Sequence, residues 1–464
     1  MSHVVTVNPR ILAMEYAVRG PIPQRAAEMA QAGRSIIPCN IGNPQGLGQR
    51  PITFYRQILS LLEDPVNLER LGRAPSDAGT YPADVIEMAG EMAEGSRTGT
   101  GAYTESAGFK FVREAVSRFI DARDQLDSEG GLASDPDQVL LTDGASGGAV
   151  YVLEALISGP QDGILVPIPQ YPLYSASIAR CGGVLVGYHP DEESGWTLNR
   201  SILERSLGEA RSKGVKVKAI VVINPGNPTG ALLDVASMKQ VVDVAREWDL
   251  AIIADEVYQE NTYGRPWTSF ARVVGNEKIP LFSLHSVSKG FYGECGHRGG
   301  YLEIRHSPPV EGTNLTLTEV LLKQASVNLC PNTMGQFLVH LMVTGPRKGT
   351  QSEELFRRER KTILQDLEAK ATMIRDSFSK MDGMECFGRT GAMYLFPRLS
   401  RLPSGVGDFD YCMALLEETG MVTVNGAGFG QAEGTNHLRV AFLPPFELIE
   451  KVMPRWVEFH NRYV

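Results

Sequence analysis

Between residues 139 and 304 the chain sets down seven short runs of aliphatic and β-branched residues. They are VLLT (139–142), GILVPI (163–168), VLVGY (184–188), AIVVIN (219–224), LAIIAD (250–255), PLFSLHS (280–286) and GGYLEI (299–304). Runs with no polar alternation suit strands covered on both faces, as in a parallel sheet flanked by helices. Between two of them, DVASMKQVVDVAREWD (234–249) carries apolar residues at helical spacing. This strand–helix–strand rhythm predicts an α/β, doubly wound unit with a mostly parallel central sheet. A chain of 464 residues exceeds what one core organises, so a second unit is expected. Residues 351–380 show one long, charged, amphipathic helical pattern. After it, AMYLFPRL (392–399), MVTVNGAGFG (421–430) and HLRVAFLPP (437–445) read as strands of a smaller α+β domain. The expected division is an N-terminal arm (1–30), a small domain (31–75 with 345–464) and a large domain (76–344). No internal repeat or low-complexity segment interrupts this pattern.

Charge and composition exclude several classes. The formal net charge is -9 and no Lys/Arg run is present, so nucleic acid is not an expected partner. No apolar run approaches the roughly 18 residues that span a bilayer, so no membrane partner is expected. The six cysteines are scattered without a C-x-x-C pair, which argues against a metal site or disulfide framework and for reduced thiols. The first 21 residues lack a continuous apolar stretch and are neither Ser-rich nor Arg-rich, so a cytoplasmic location is expected, with a mitochondrial one left open.

In an open α/β sheet, ligands bind beyond the carboxyl ends of the strands. The polar clusters of this chain follow the strands in that way. DGASGG (143–148) follows the first run and opens a helix whose free N–H groups suit a phosphate, with Ala145 and Ser146 in its first turn. NPGNPTG (224–230) contains Asn227, a candidate hydrogen-bond partner for a ring oxygen, and is otherwise a Pro/Gly turn. Asp255 ends LAIIAD. It fits either a helix N-cap or an ion pair to a protonated ring nitrogen, with Tyr258 three residues on. Ser286 and Lys289 follow PLFSLHS, with Arg298 nine residues beyond Lys289. An amine held out of water beside a cation becomes nucleophilic toward an aldehyde, whereas most lysines are simply solvated. Tyr171 in PIPQYPLY suits a stacking ring or a core aromatic. Arg439, inside a β-branched run, suits a bidentate carboxylate clamp or a structural ion pair.

Taken together, these residues resemble the fold-type I aminotransferases (class I/II). The matching motifs are IGNP (41–44), GAYTESAG (101–108), DGASGG, PQYP (169–172), NPGNPTG, ADEVY (254–258), SVSKGFYGECGHRGGY (286–301) and HLRVAF (437–442). Within the class the chain is most similar to the alanine aminotransferases, through EYAVRGPI (15–22), GQRPITFYRQ (48–57), PLYSASI (172–178), GECGHRGGY (293–301) and VNLCPNTMGQ (327–336). The resemblance covers nearly the whole chain. It implies pyridoxal 5'-phosphate as cofactor, bound by the large domain, with Lys289 as its Schiff-base lysine and Asp255 at the pyridine nitrogen. Asn227 and Tyr258 then touch the phenolic oxygen and Tyr171 stacks on the ring. Ala145, Ser146, Ser286 and Arg298 hold the phosphate, while Arg439 and Gly42 hold the substrate carboxylate. Tyr103 matches a tyrosine that reaches the neighbouring subunit's cofactor phosphate, which implies a homodimer with shared sites. The implied partners are a small amino acid and a 2-oxo acid, with L-alanine and 2-oxoglutarate exchanging for pyruvate and L-glutamate. Glutamate–glyoxylate exchange is the nearest alternative, followed by a lyase or cyclopropane-forming synthase on the same cofactor. Regulators built on this fold begin with a DNA-binding helix-turn-helix, for which residues 1–30 are too short and insufficiently basic. One departure stands out: no residue here matches the second arginine that aspartate-specific relatives use for a distal carboxylate.

Overall fold

The computed structural model describes residues 5–14, 20–74, 79, 81–125 and 131–464; residues 15–19 of the EYAVRGPI motif, and parts of the expected arm, lie outside them. A seven-stranded sheet is built from β1 (Val139–Asp143), β2 (Asp162–Pro167), β3 (Val184–Tyr188), β4 (Lys216–Ile223), β5 (Ala251–Asp255), β6 (Leu281–Ser286) and β7 (Gly299–Arg305). Its strand order is β1-β7-β6-β5-β4-β2-β3. Each strand falls on one of the seven apolar runs, within a few residues at either end.

Alternate side chains serve the two faces. Along β4, Ala219, Val221 and Ile223 pack beneath α1 (Ala145–Leu156) and α2 (Pro172–Cys181). Ile220 and Val222 pack on the opposite side with Met238, Val241 and Ala245 of α3 (Val235–Glu247). The strands pair in parallel except β7, which is antiparallel to both β1 and β6. The reason is local. A parallel return needs a crossover, usually helical, and residues 287–298 between β6 and β7 hold only the short 3₁₀ turn Cys295–His297.

A second core joins the two ends of the chain. Ile22, Met29, Ile37 and Cys39 pack with residues of α5 (Gln351–Phe378), with Tyr411 and Leu415, and with Trp456 near the C-terminus; α4 (Thr333–Thr344) instead packs beside β7. Here β10 (Leu438–Ala441) lies between β8 (Tyr394–Leu395) and β9 (Val424–Asn425), antiparallel to both. Two segments depart from the expected division. Pro21–Gln31, placed with the arm except for its last residue, is a helix with Ile22, Ala26 and Met29 buried in this second core. Residues 52–71, placed with the small domain, pack instead against Val85, Met92, Val116 and Phe337, because helices of the sheet unit cover their apolar face. Among the described residues, no helix is long and apolar enough to cross a membrane.

Candidate active site

Three of the seven strands end on one cavity of about 250 Å³, at Ile223, Asp255 and Ser286, and the second core closes it. Of the residues singled out from the sequence, Gly42, Ala145, Ser146, Tyr171, Asn227, Asp255, Tyr258, Ser286, Lys289, Arg298 and Arg439 all line it. Tyr103 does not; it is 74% exposed on the surface of this chain.

The phosphate-type corner is made by backbone as much as by side chains. Gly144 turns the chain from β1 into α1 at φ 75°, and α1 begins with no side-chain cap, leaving its N–H groups for a ligand. A Cβ on Gly144 would lie 2.5 Å from Arg298 Nη2, so glycine admits the guanidinium. Arg298 donates to the carbonyls of Asp143 and Cys295, both at 2.9 Å, and to Ser146 Oγ at 3.1 Å. Its own φ is +53°, left-handed and unusual for a side chain of this size, as strain held at a functional position tends to be.

Lys289 sits in the turn after β6 and donates from Nζ to the Gly42 carbonyl at 2.8 Å. Asp255 closes β5 and is 5% exposed. Burial pushes its carboxyl up to about 6, against the pull of a hydrogen bond from Tyr174, the Val257 N–H and the Lys289 charge. Tyr258 donates to the Tyr394 hydroxyl at 3.4 Å. Burial pushes the Tyr258 phenol well above its usual range. Burial acts in the same direction on Tyr394, but the adjacent Lys289 and Arg439 cations outweigh it and hold that phenol below the usual range.

Arg439, from β10, is 2% exposed. It donates to Asn227 Oδ1 at 3.1 Å and to the Asn40 carbonyl at 2.6 Å. The rings of Tyr394 and Phe429 lie 4.3 and 4.9 Å from its guanidinium carbon. Its Nε has no partner, and no carboxylate pairs with it among the described residues. A buried guanidinium with hydrogen bonds and rings but no counter-charge is prepared for an anionic ligand. Tyr394, Tyr174, Cys295 and Asn40 went unrecognised in the sequence. Tyr394 and Tyr174 stand among apolar neighbours and read as core aromatics, and only the helical three-residue spacing from Tyr171 hints at Tyr174.

These groups fit pyridoxal phosphate. Arg298, Ser146, Ser286 and an uncapped helix start suit a phosphate. A buried carboxyl, Asp255, suits a protonated ring nitrogen, and the Lys289 amine suits an aldehyde. The family model for aminotransferase class I and II matches residues 72–453. Alanine aminotransferase 2 of Panicum miliaceum is 41% identical over 99% of this chain and 98% of its own. Glutamate–glyoxylate aminotransferase 1 of Arabidopsis thaliana is also 41% identical, over 99% of this chain and 96% of its own. The solved alanine aminotransferase of Pyrococcus furiosus superposes with a TM-score of 0.79 at 26% identity, covering 98% of this chain and 100% of that one. A chain with this sheet, this cavity and these relatives belongs to the class I and II aminotransferases, and works with pyridoxal 5'-phosphate.

Proposed function

We propose that this enzyme is an alanine aminotransferase, moving the amino group of L-alanine to 2-oxoglutarate and releasing pyruvate and L-glutamate by a ping-pong course. The observation that carries the reading is Arg439, a buried guanidinium with no counter-charge among the described residues, on the same cavity as the Lys289 amine. Every substrate of the exchange carries an α-carboxylate that answers it. Clamped there by Arg439 and by the Gly42 backbone, the substrate has one orientation of its α C–H bond.

Pyridoxal phosphate, when bound, supplies an aldehyde to capture the amine and a ring to accept the electron pair of the α-carbon. The chain does the rest. Ala145, Ser146, Ser286 and Arg298 would hold the phosphate, Tyr171 would cover the ring, and Asn227 and Tyr258 would hydrogen-bond the phenolic oxygen. Asp255 would keep the ring nitrogen protonated. The Lys289 amine would anchor the cofactor at rest and, once displaced by the substrate amine, would carry the proton from the substrate α-carbon to the cofactor, and in the second half of the cycle from the cofactor to the α-carbon derived from the 2-oxo acid. The side chains around Arg439 exclude bulk water, which strengthens each of these charge contacts.

Lys289→Ala tests the central role. The variant should still fold and bind cofactor, lose the visible absorbance of the lysine-bound form, and drop turnover by several orders of magnitude. Retention of both band and turnover would falsify the assignment. Glutamate–glyoxylate exchange is the second reading, supported by an Arabidopsis relative as similar as the Panicum one. Steady-state rates with alanine and glutamate as donors, against 2-oxoglutarate and glyoxylate as acceptors, separate the two. A homodimer with Tyr103 at the partner's phosphate, and a cytoplasmic location, complete the proposal.

A further inference from the structure

Tyr174 is not part of the cavity wall, yet its hydroxyl donates to Asp255 Oδ2 at 2.9 Å. The tyrosine is fully buried and the carboxyl nearly so. The bond ties α2 to the end of β5. Tyr174 lies in the first turn of α2, its N–H bonded to the Tyr171 carbonyl at 3.1 Å. One helical turn thus sets Tyr171 on the cavity wall and Tyr174 against the carboxyl that closes β5.

A buried carboxylate needs donors, and Asp255 has few. Its Oδ1 receives a long contact from the Val257 N–H at 3.5 Å. The ionisable groups around it are Tyr174 from α2, Tyr171 just ahead of α2, Tyr258 from the turn after β5, and Lys289 from the turn after β6. The adjacent Glu256 meets other partners, Arg123 and the Phe270 N–H. Of these groups, Tyr174 bonds the carboxyl directly. Burial holds the Tyr174 phenol well above its usual range, and the Asp255 charge adds to this, so the hydroxyl stays protonated and remains a donor across the working pH range.

We infer that Tyr174 is a positioning residue for transamination, whose hydroxyl keeps the Asp255 carboxylate ionised and turned toward the ring nitrogen of the cofactor. The inference rests on the reading of Asp255 given above. It extends the site to a residue that touches neither substrate nor cofactor, and it gives α2 a second task beyond carrying Tyr171.

Tyr174→Phe removes one oxygen and leaves the ring in the core, so the fold is preserved. Asp255 Oδ2 then loses its donor. Hydrogen bonding to the charged form of a carboxyl lowers its pKa, so losing the bond raises it, by about one unit for an interaction of this kind. Asp255 is protonated as pH falls, so the acidic limb of kcat/KM for L-alanine should move upward by about one pH unit. The acidic limb of pyridoxal phosphate binding to the cofactor-free protein, read by fluorescence, should move by a similar amount. The melting temperature of the cofactor-free protein should hold. A tyrosine that merely fills space would leave both limbs where they are, and that result overturns the inference. Asp255→Asn serves as the reference, since with no titrating carboxyl the added Tyr174→Phe should shift neither limb further. Wild-type turnover in Asp255→Asn would defeat the reading of Asp255 itself. A crippled Asp255→Asn beside an unmoved Tyr174→Phe would defeat only the role of Tyr174.

Discussion

Asp255 and Glu256 are consecutive carboxyls, both buried where β5 ends, and they meet different neighbours. Burial pushes Glu256 up to about 8, against the pull of Arg123 and of the Phe270 N–H, which donates to it at 2.7 Å. Its carboxyl is therefore mostly protonated in the folded protein at neutral pH. The folded-state value lies above the ordinary 4.5, so the folded state binds this proton more tightly than the unfolded chain does. The resulting stability is complete below about 4.5 and drains away as pH rises to about 8. Glu256→Gln removes that titration, so the variant should lose less stability than the wild type between pH 5 and pH 8. Chemical denaturation at the two pH values measures it, and equal losses would contradict the assignment. Single residues were legible where chemistry breaks an apolar pattern. Arg439 interrupts a β-branched run, Asp255 ends one, and Lys289 follows closely on the apolar run PLFSLHS. Tyr174 and Tyr394 break no such pattern, since a tyrosine fits a core as well as a site. Their partners lie 81 and 136 residues away, beyond any local spacing rule.

Elements were legible wherever burial on both faces left an uninterrupted apolar run, which is why all seven sheet strands fall on the runs read from the sequence. Direction was not. GGYLEI looks like its parallel neighbours, and only the short link before it signals the reversal of β7. That reversal brings Arg298, just ahead of β7, back toward α1. The start of α4 holds this corner from the other side. A Cβ on Gly335 would lie 2.7 Å from the His297 carbonyl oxygen and 2.8 Å from that of Arg298. Alanine favours a helix over glycine by about 1 kcal/mol. Forcing an extra carbon into packed backbone costs about 1–3 kcal/mol, so the clash should win. Gly335→Ala is expected to lower stability by about 1 kcal/mol, and to weaken cofactor affinity more than its effect on KM for alanine, because Arg298 is what moves. A melting curve with and without cofactor tests this; unchanged cofactor affinity would mean that the corner is not held by α4.

At the scale of the whole molecule, the site belongs to neither unit alone. Ile41, Gly42, Tyr394 and Arg439 come from the part of the chain that joins its two ends, and the remaining lining residues come from the sheet unit or its connections. The two-unit organisation was legible in the change of pattern near residue 351, but the allegiance of residues 52–71 was not, because an amphipathic helix does not declare which unit covers it. Tyr103, exposed on one chain, belongs to the proposed dimer. Mixing Tyr103→Ala with Lys289→Ala subunits tests the sharing of sites. Hybrids carry both lesions in one site and neither in the other, so the mixture should exceed the activity of either parent. No gain on mixing would place Tyr103 outside the partner's site. The bond from Arg439 to the Asn40 carbonyl spans 399 positions of the chain. At roughly 5–20 residues per second of synthesis, Asn40 waits on the order of 20–80 s for Arg439 to be made. Only in the last third of that interval, once β7 has been made through Arg305, can the sheet unit with Lys289 be complete while Arg439 does not yet exist. Cofactor capture can therefore precede substrate recognition in the life of each molecule, and a newborn chain can hold its vitamin before it can hold an amino acid.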